Sequence, residues 1–203
     1  MTKVRNASLA LLTVLVTPIA ANATLIGDTV SGSLGTATSG AATVTTPFAP
    51  SAVVGGGVEF SGVITDAFSQ IWTIDVDIAA SSFSVAISES TRGGNGNVLA
   101  QDDLLVVALS DLDWLPAASI ADVVLSSYVC SAGAAFPCTT FGGGPSISLL
   151  DFGADYINFQ ANTMRDGETY IFDIVTVAVP EPTSITLLGL GLIGLGFARR
   201  RKV

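Results

Sequence analysis

Residues 71–78, Ile-Trp-Thr-Ile-Asp-Val-Asp-Ile, put Trp72, Ile74, Val76 and Ile78 on one side of an extended chain and Thr73, Asp75 and Asp77 on the other. A two-residue period is the mark of a strand with one buried and one wet face. The same alternation sets Phe83, Val85 and Ile87 against Ser82, Ser84, Ala86 and Ser88, and it returns at Tyr170, Phe172 and Ile174. Residues 58–64, 121–129 and 146–152 read as further strands. The continuous apolar run 104–109 reads as a strand buried on both faces in preference to a short helical piece. Between residues 92 and 97 an Asn-Gly pair lies in a glycine cluster, which predicts a turn from the strand ending near Ser88 to one beginning near Val98.

Short strands, frequent turns and no sustained helical period predict an all-β body, an antiparallel β-sandwich or jelly roll of about eight strands. Residues 36–57 break the pattern. They are Thr, Ser, Ala and Gly with Pro47 and Pro50 and few large apolar side chains, so a long loop or a loosely held first hairpin is expected there. No repeat of fixed period is present, which argues against a solenoid.

The two ends of the chain follow different rules. Lys3 and Arg5 precede an apolar run from Ala7 to Ala20, and Ala21-Asn22-Ala23 offers small residues at the positions a signal peptidase reads. Residues 1–23 are therefore expected to be a signal peptide cut between Ala23 and Thr24. At the other end stand Val179-Pro180-Glu181-Pro182, an uncharged span over residues 183–198, and Arg199-Arg200-Arg201-Lys202. The two prolines keep Glu181 extended, so a helix can begin only beyond them. At about 1.5 Å per residue the span reaches roughly 24 Å, short of a hydrocarbon core of about 30 Å. Long cationic side chains compensate by extending toward the interface, and their cluster fixes that flank on the cytoplasmic side. This predicts a transmembrane sorting helix over 183–198, a basic stop over 199–202, and a body, residues 24–179, outside the inner membrane.

The span also spells Gly189-x-Gly191-x-x-Gly194. A dinucleotide site needs a strand before that motif and an acid about twenty residues after it, and neither is in place. The glycines read either as a helix-packing surface or as a brake on hydrophobicity.

Motif, apolar span and terminal cations together resemble the PEP-CTERM signal of exported bacterial proteins, which exosortases recognise and cut. The resemblance implies an exosortase as processing partner, transient insertion in the inner membrane, and association with the exopolysaccharide or biofilm matrix of a Gram-negative bacterium. It implies no activity, because a shared address does not transfer one.

Charge sharpens the picture of the body. Six of the eight basic residues belong to the two ends, leaving Arg92 and Arg165 against sixteen carboxylates, a formal balance of minus 14. Such a surface repels nucleic acid and anionic lipid. Cations, neutral sugars and basic proteins remain open as partners. The chain has two cysteines, Cys130 and Cys138, and export places them where disulfides persist. A bond between them closes a loop of about nine residues and contributes roughly 2.5 kcal/mol by chain entropy. It reads as a staple on a loose connection, with a pinned recognition loop around Phe136 as the alternative.

With no histidine in the chain, Ser-His-Asp and Cys-His catalysis and His-ligated zinc are excluded. A carboxylate pair working as glycosidase acid and base survives, with Asp75/Asp77, Asp102/Asp103 and Asp111/Asp113 as candidates. No enzyme is expected, since acids on the wet faces of an acidic exported protein are ordinarily solubilising charge. Calcium is the more reasonable ligand for Asp75 with Asp77 and Asp111 with Asp113, because a hard cation takes several oxygens. Trp72 belongs to an apolar face. Trp114, between Asp113 and Leu115-Pro116, is the candidate for an exposed aromatic that stacks on sugar rings. The leading expectation is a structural or adhesive matrix protein, with a carbohydrate-binding or calcium-dependent recognition module and then a histidine-free glycoside hydrolase as alternatives.

Overall fold

A computed structural model describes residues 24–36, 42–66, 69–89, 105–114, 118–130, 145, 147–161, 165–179, 189, 191 and 192. Eleven strands lie among them: β1 (Thr29–Thr36), β2 (Thr43–Thr46), β3 (Ser51–Val53), β4 (Val58–Thr65), β5 (Ile71–Ile78), β6 (Ser82–Glu89), β7 (Leu105–Ser110), β8 (Ala118–Cys130), β9 (Ile147–Phe152), β10 (Ile157–Ala161) and β11 (Glu168–Ala178). They form a five-stranded sheet in the order β3-β1-β7-β10-β9 and a six-stranded sheet in the order β2-β4-β5-β6-β11-β8. Every pairing is antiparallel.

The sheets meet face to face over one core because the strands alternate as their sequence requires. Trp72, Ile74, Val76 and Ile78 on β5, Phe83, Val85 and Ile87 on β6, and Tyr170, Phe172 and Ile174 on β11 point inward and are buried. From the opposite sheet, Val30 and Leu34 on β1, Leu105, Val107 and Leu109 on β7, and Ile157 and Phe159 on β10 meet them. Aromatic rings lock the centre. Phe83 and Phe172, cross-strand partners, stack at 4.7 Å between centroids. The Phe159 ring of the other sheet sets its edge against Phe172 at 5.3 Å and tilts over Tyr170 at 5.4 Å. Offset and edge-on geometries of this kind are favoured by the ring quadrupoles beyond the area they bury.

Two glycines allow the sheets to close. A Cβ built on Gly32 of β1 would stand 2.7 Å from the Phe60 ring, and one on Gly62 of β4 would stand 2.6 Å from Leu34 and 2.8 Å from the Phe48 ring. Each sheet thus leaves a backbone gap into which the other inserts a large side chain, which is how interiors reach crystal-like density. Gly32 also conceals β1 in the sequence, because it puts no side chain at the inward-facing position between Val30 and Leu34.

The structure corrects the sequence reading in several places. There are eleven strands among the described residues where about eight were expected. The stretch 36–57 is no simple loop or hairpin, since β2 pairs with β4 in one sheet and β3 with β1 in the other, so this segment crosses between the sheets. β10 is a further strand beyond those expected, with Ile157, Phe159 and Ala161 buried and alternating with Asn158 and Gln160. Of the run at 104–109, residues 105–109 are described and form a strand in the middle of its sheet, but Val106 and Ala108 are half-buried, so it is not fully enclosed on both sides. The turn at 92–97 lies outside the described residues.

Trp72 is in the core, as its face predicts, and its indole N–H donates to Asp66 Oδ2 at 3.2 Å. The buried Asp66 carboxylate also accepts from Gln70 N at 2.8 Å, tying the β4–β5 connection, where Ser69 adopts a left-handed φ of 62°. Trp114 overturns its expectation. It is 3% exposed and part of the core cluster, packed inward after Leu112, so its ring face is closed to a sugar.

Candidate functional site

The inner face of β11 carries one carboxylate among the described residues. Glu168 occupies the position two residues before Tyr170 in the same alternation, so the pleat turns its carboxylate inward, where it is 2% exposed. A buried carboxylate must be met by donors. The Tyr128 hydroxyl donates to Oε1, the Tyr170 hydroxyl donates to Oε2 at 3.2 Å, and the Arg165 backbone N–H donates to Oε2 at 3.0 Å. The Arg165 guanidinium stands 3.9 Å from Oε1.

The surrounding chain is shaped to deliver these donors. Tyr128 on the edge strand β8 lies directly across from Tyr170, with ring centroids 5.2 Å apart. Arg165 precedes a tight turn in which Gly167, at a left-handed φ of 80°, donates its N–H to Ile87 O at 3.0 Å. That conformation costs a glycine little and any residue with a Cβ more. Asp166 Oδ1 accepts from Glu89 N at 3.0 Å. The cluster therefore fastens the end of β6, the approach to β11 and the edge strand β8 to one another. Burial of its phenol, followed by the hydrogen bond to Glu168 and the charge of that carboxylate, pushes the Tyr128 pKa above its ordinary value near 10. Both oxygens of Glu168 are engaged, so the arrangement is a cross-link.

Sequence reasoning missed this cluster, though two signals pointed to it. Arg165 is one of the two basic residues of the body, and extending the alternation of Tyr170, Phe172 and Ile174 back by one step places Glu168 on the buried face.

The candidate calcium acids fall elsewhere. Asp75 and Asp77 lie on the outer face of β5, with Ser61 and Ala86 beside the first and Val58 and Ser84 beside the second. Asp111 and Asp113 follow β7 of the other sheet, exposed on either side of the buried Leu112. Asp111 takes a left-handed φ of 59°, and Asp113 donates its N–H to Asp28 Oδ2 at 2.8 Å. The topology does not bring the two pairs together. Among the described residues no group of three or more Cys, Asp or Glu side chains is placed to hold a metal ion.

Cys130 ends β8 opposite Glu168 and is not a free thiol. Its expected partner Cys138 lies outside the described residues, as do Ala21 and Ala23 of the signal-peptide site, Pro180, Glu181 and Pro182, and the stop Arg199, Arg200, Arg201 and Lys202. Thr24 is the first described residue, and Val179 is exposed directly after β11. Of the expected transmembrane span, Gly189, Gly191 and Leu192 are described and helical. Among the described residues no helix is long and apolar enough to cross a membrane.

Fold and termini together define a class: an all-β body of two antiparallel sheets that leads straight from its last strand into a C-terminal address. Comparison with protein families identifies that address, since residues 178–202 match the PEP-CTERM protein-sorting motif. The chain thus carries the tail of an exported, membrane-transiting protein, and the motif implies an exosortase as processing partner. Neither the comparison with curated proteins nor that with solved structures finds a match.

Proposed function

We propose that this protein is a structural or adhesive component of an exopolysaccharide or biofilm matrix, delivered across the inner membrane, held there briefly by its tail and freed by an exosortase. One observation carries the reading: the sorting motif begins at residue 178, the last residue of β11, so the whole sandwich is cargo on the outer side of the cut. The body suits passive work. Among the described residues, the buried Glu168 has both oxygens engaged by Tyr128, Tyr170 and Arg165. Of the acids singled out in the sequence, Asp75 and Asp77 are half-buried on an outer sheet face and Asp111 and Asp113 are exposed, while Asp102 and Asp103 lie outside the described residues. On this reading the protein has no catalytic role, its many carboxylates keep the body soluble in a hydrated matrix, and Cys130 pairs with Cys138 as a staple.

The test is fractionation of a host that makes the full-length chain, with and without its exosortase. With the protease, a shortened body is expected in the surface or matrix fraction, and deleting the gene is expected to lower matrix cohesion. Without it, the uncut chain is expected to stay with the inner membrane. A shortened body found wholly in the culture fluid, unable to bind purified exopolysaccharide with or without calcium, would refute the matrix role. Alkylation without reduction should label neither cysteine.

A further inference from the structure

The last strand changes its surroundings partway along. From Thr169 to Asp173, β11 is paired on both sides, by β6 and by β8. Beyond Ile174 the pairing with β6 ends, and β8 alone continues, matching Val175 with Asp122, Thr176 with Ile120, Val177 with Ser119 and Ala178 with Ala118. The final residues before the sorting motif thus form a two-stranded ribbon, with Val175, Val177 and Val179 exposed along one face. A register shift between Val175 and Thr176 sets this ribbon off from the sheet. The β8 half is held in place, since Ile120 is buried and its N–H donates to Ala154 O at 3.2 Å, so the end of β11, with β8 as its one strand partner, is the part that can open locally without unfolding the rest.

A protease takes its substrate as an extended chain whose backbone hydrogen bonds with the enzyme, in the manner of an added strand. A protease cleft has to enclose the chain it cuts, and residues just before the sorting motif cannot enter such a cleft while β8 holds one of their two backbone edges. No spacer separates the two roles, because the match to the motif starts where the ribbon ends.

We propose that the ribbon of residues 118–122 and 175–178 is a gate on processing: the exosortase acts on the fraction of molecules in which these residues have come away from β8. The body stays folded during the opening, since β11 remains held between β6 and β8 up to Ile174. The gate makes cutting a property of the cargo as well as of the motif. It rests on the reading that the tail is cut by an exosortase.

The experiment is a pulse-chase of full-length protein in a host with the exosortase, following loss of the tail. Ser119→Pro weakens the ribbon from the β8 side and leaves the substrate segment unchanged. A spacer of four Gly/Ser residues after Ala178 leaves the ribbon intact and gives the motif slack. Both should speed cutting by roughly tenfold, the factor that about 1.4 kcal/mol of opening cost imposes. The double variant Ser119→Cys, Val177→Cys, cross-linked in the oxidising compartment, should slow it by a similar factor and recover on reduction. The thermal midpoint of each body checks folding, and the spacer keeps the test valid if Ser119→Pro unfolds. Equal rates for wild type, spacer and cross-linked variant would overturn the gate. No shortening of wild type that depends on the exosortase would instead overturn the processing reading, and the gate with it.

Discussion

The two faces of the six-stranded sheet are built from the same strands and obey opposite rules. The inner face is a mosaic of fitted shapes: Phe60, Ile64, Trp72, Ile74, Phe83, Phe172 and the gap at Gly62 mesh with the second sheet, and the buried acids Asp66 and Glu168 each accept hydrogen bonds at both oxygens. The outer face carries Ser61, Thr73, Asp75, Asp77, Ser84 and Asp173, small polar groups that lie beside one another without deep burial. Chemistry alone does not separate them, since both faces hold carboxylates. What separates them is whether solvent can meet the charge, and so whether the side chain is committed to one set of partners.

That contrast is strongest at Glu168. Glu168→Ala should lower stability by about 3 kcal/mol, because it strands two tyrosine hydroxyls and the Arg165 charge in a poorly solvated corner. Denaturant unfolding measures it, and a loss below about 0.5 kcal/mol would erase the distinction between the faces. Next is the steric side of the same face. Gly62→Ala, which pushes a methyl into Leu34 and the Phe48 ring, should cost about 1–3 kcal/mol by overpacking, seen as a lower melting temperature.

A smaller effect is carried by Tyr128. Its pKa is raised in the folded protein, so the unfolded chain gives up the phenol proton first as pH rises past about 10. The stabilisation is complete below that value and is lost as the pH climbs toward the folded pKa. Melting temperatures followed above pH 10 should fall, and Tyr128→Phe should flatten that fall. The smallest effect belongs to the outer face. Asp75→Asn with Asp77→Asn should change stability by no more than about 0.5 kcal/mol in calcium-free buffer. A calcium-dependent rise in melting temperature that these substitutions abolish would give the outer face a committed site and break the comparison.

Periodicity in the sequence settled the all-β class and most of the buried face. Alternation at 71–78, 82–88 and 170–174 is a local property, because the pleat turns every second side chain the same way whatever the rest of the chain does. The tail was legible for a similar reason: prolines, an apolar span and a cationic stop act within a single stretch of chain. Tertiary structure decided what depends on residues far apart. Gly32 looks like a break in a strand, and Gly62 like an unfilled position within one, until Phe60 and Leu34 arrive from the opposite sheet. Trp114 looks exposed beside Asp113 and Pro116 until the core closes over it. Glu168 looks like one acid among many until Tyr128, forty residues earlier, is brought across from Tyr170. Such positions take their meaning from partners whose distance along the chain carries no periodic signal, so only the packed sandwich reveals them.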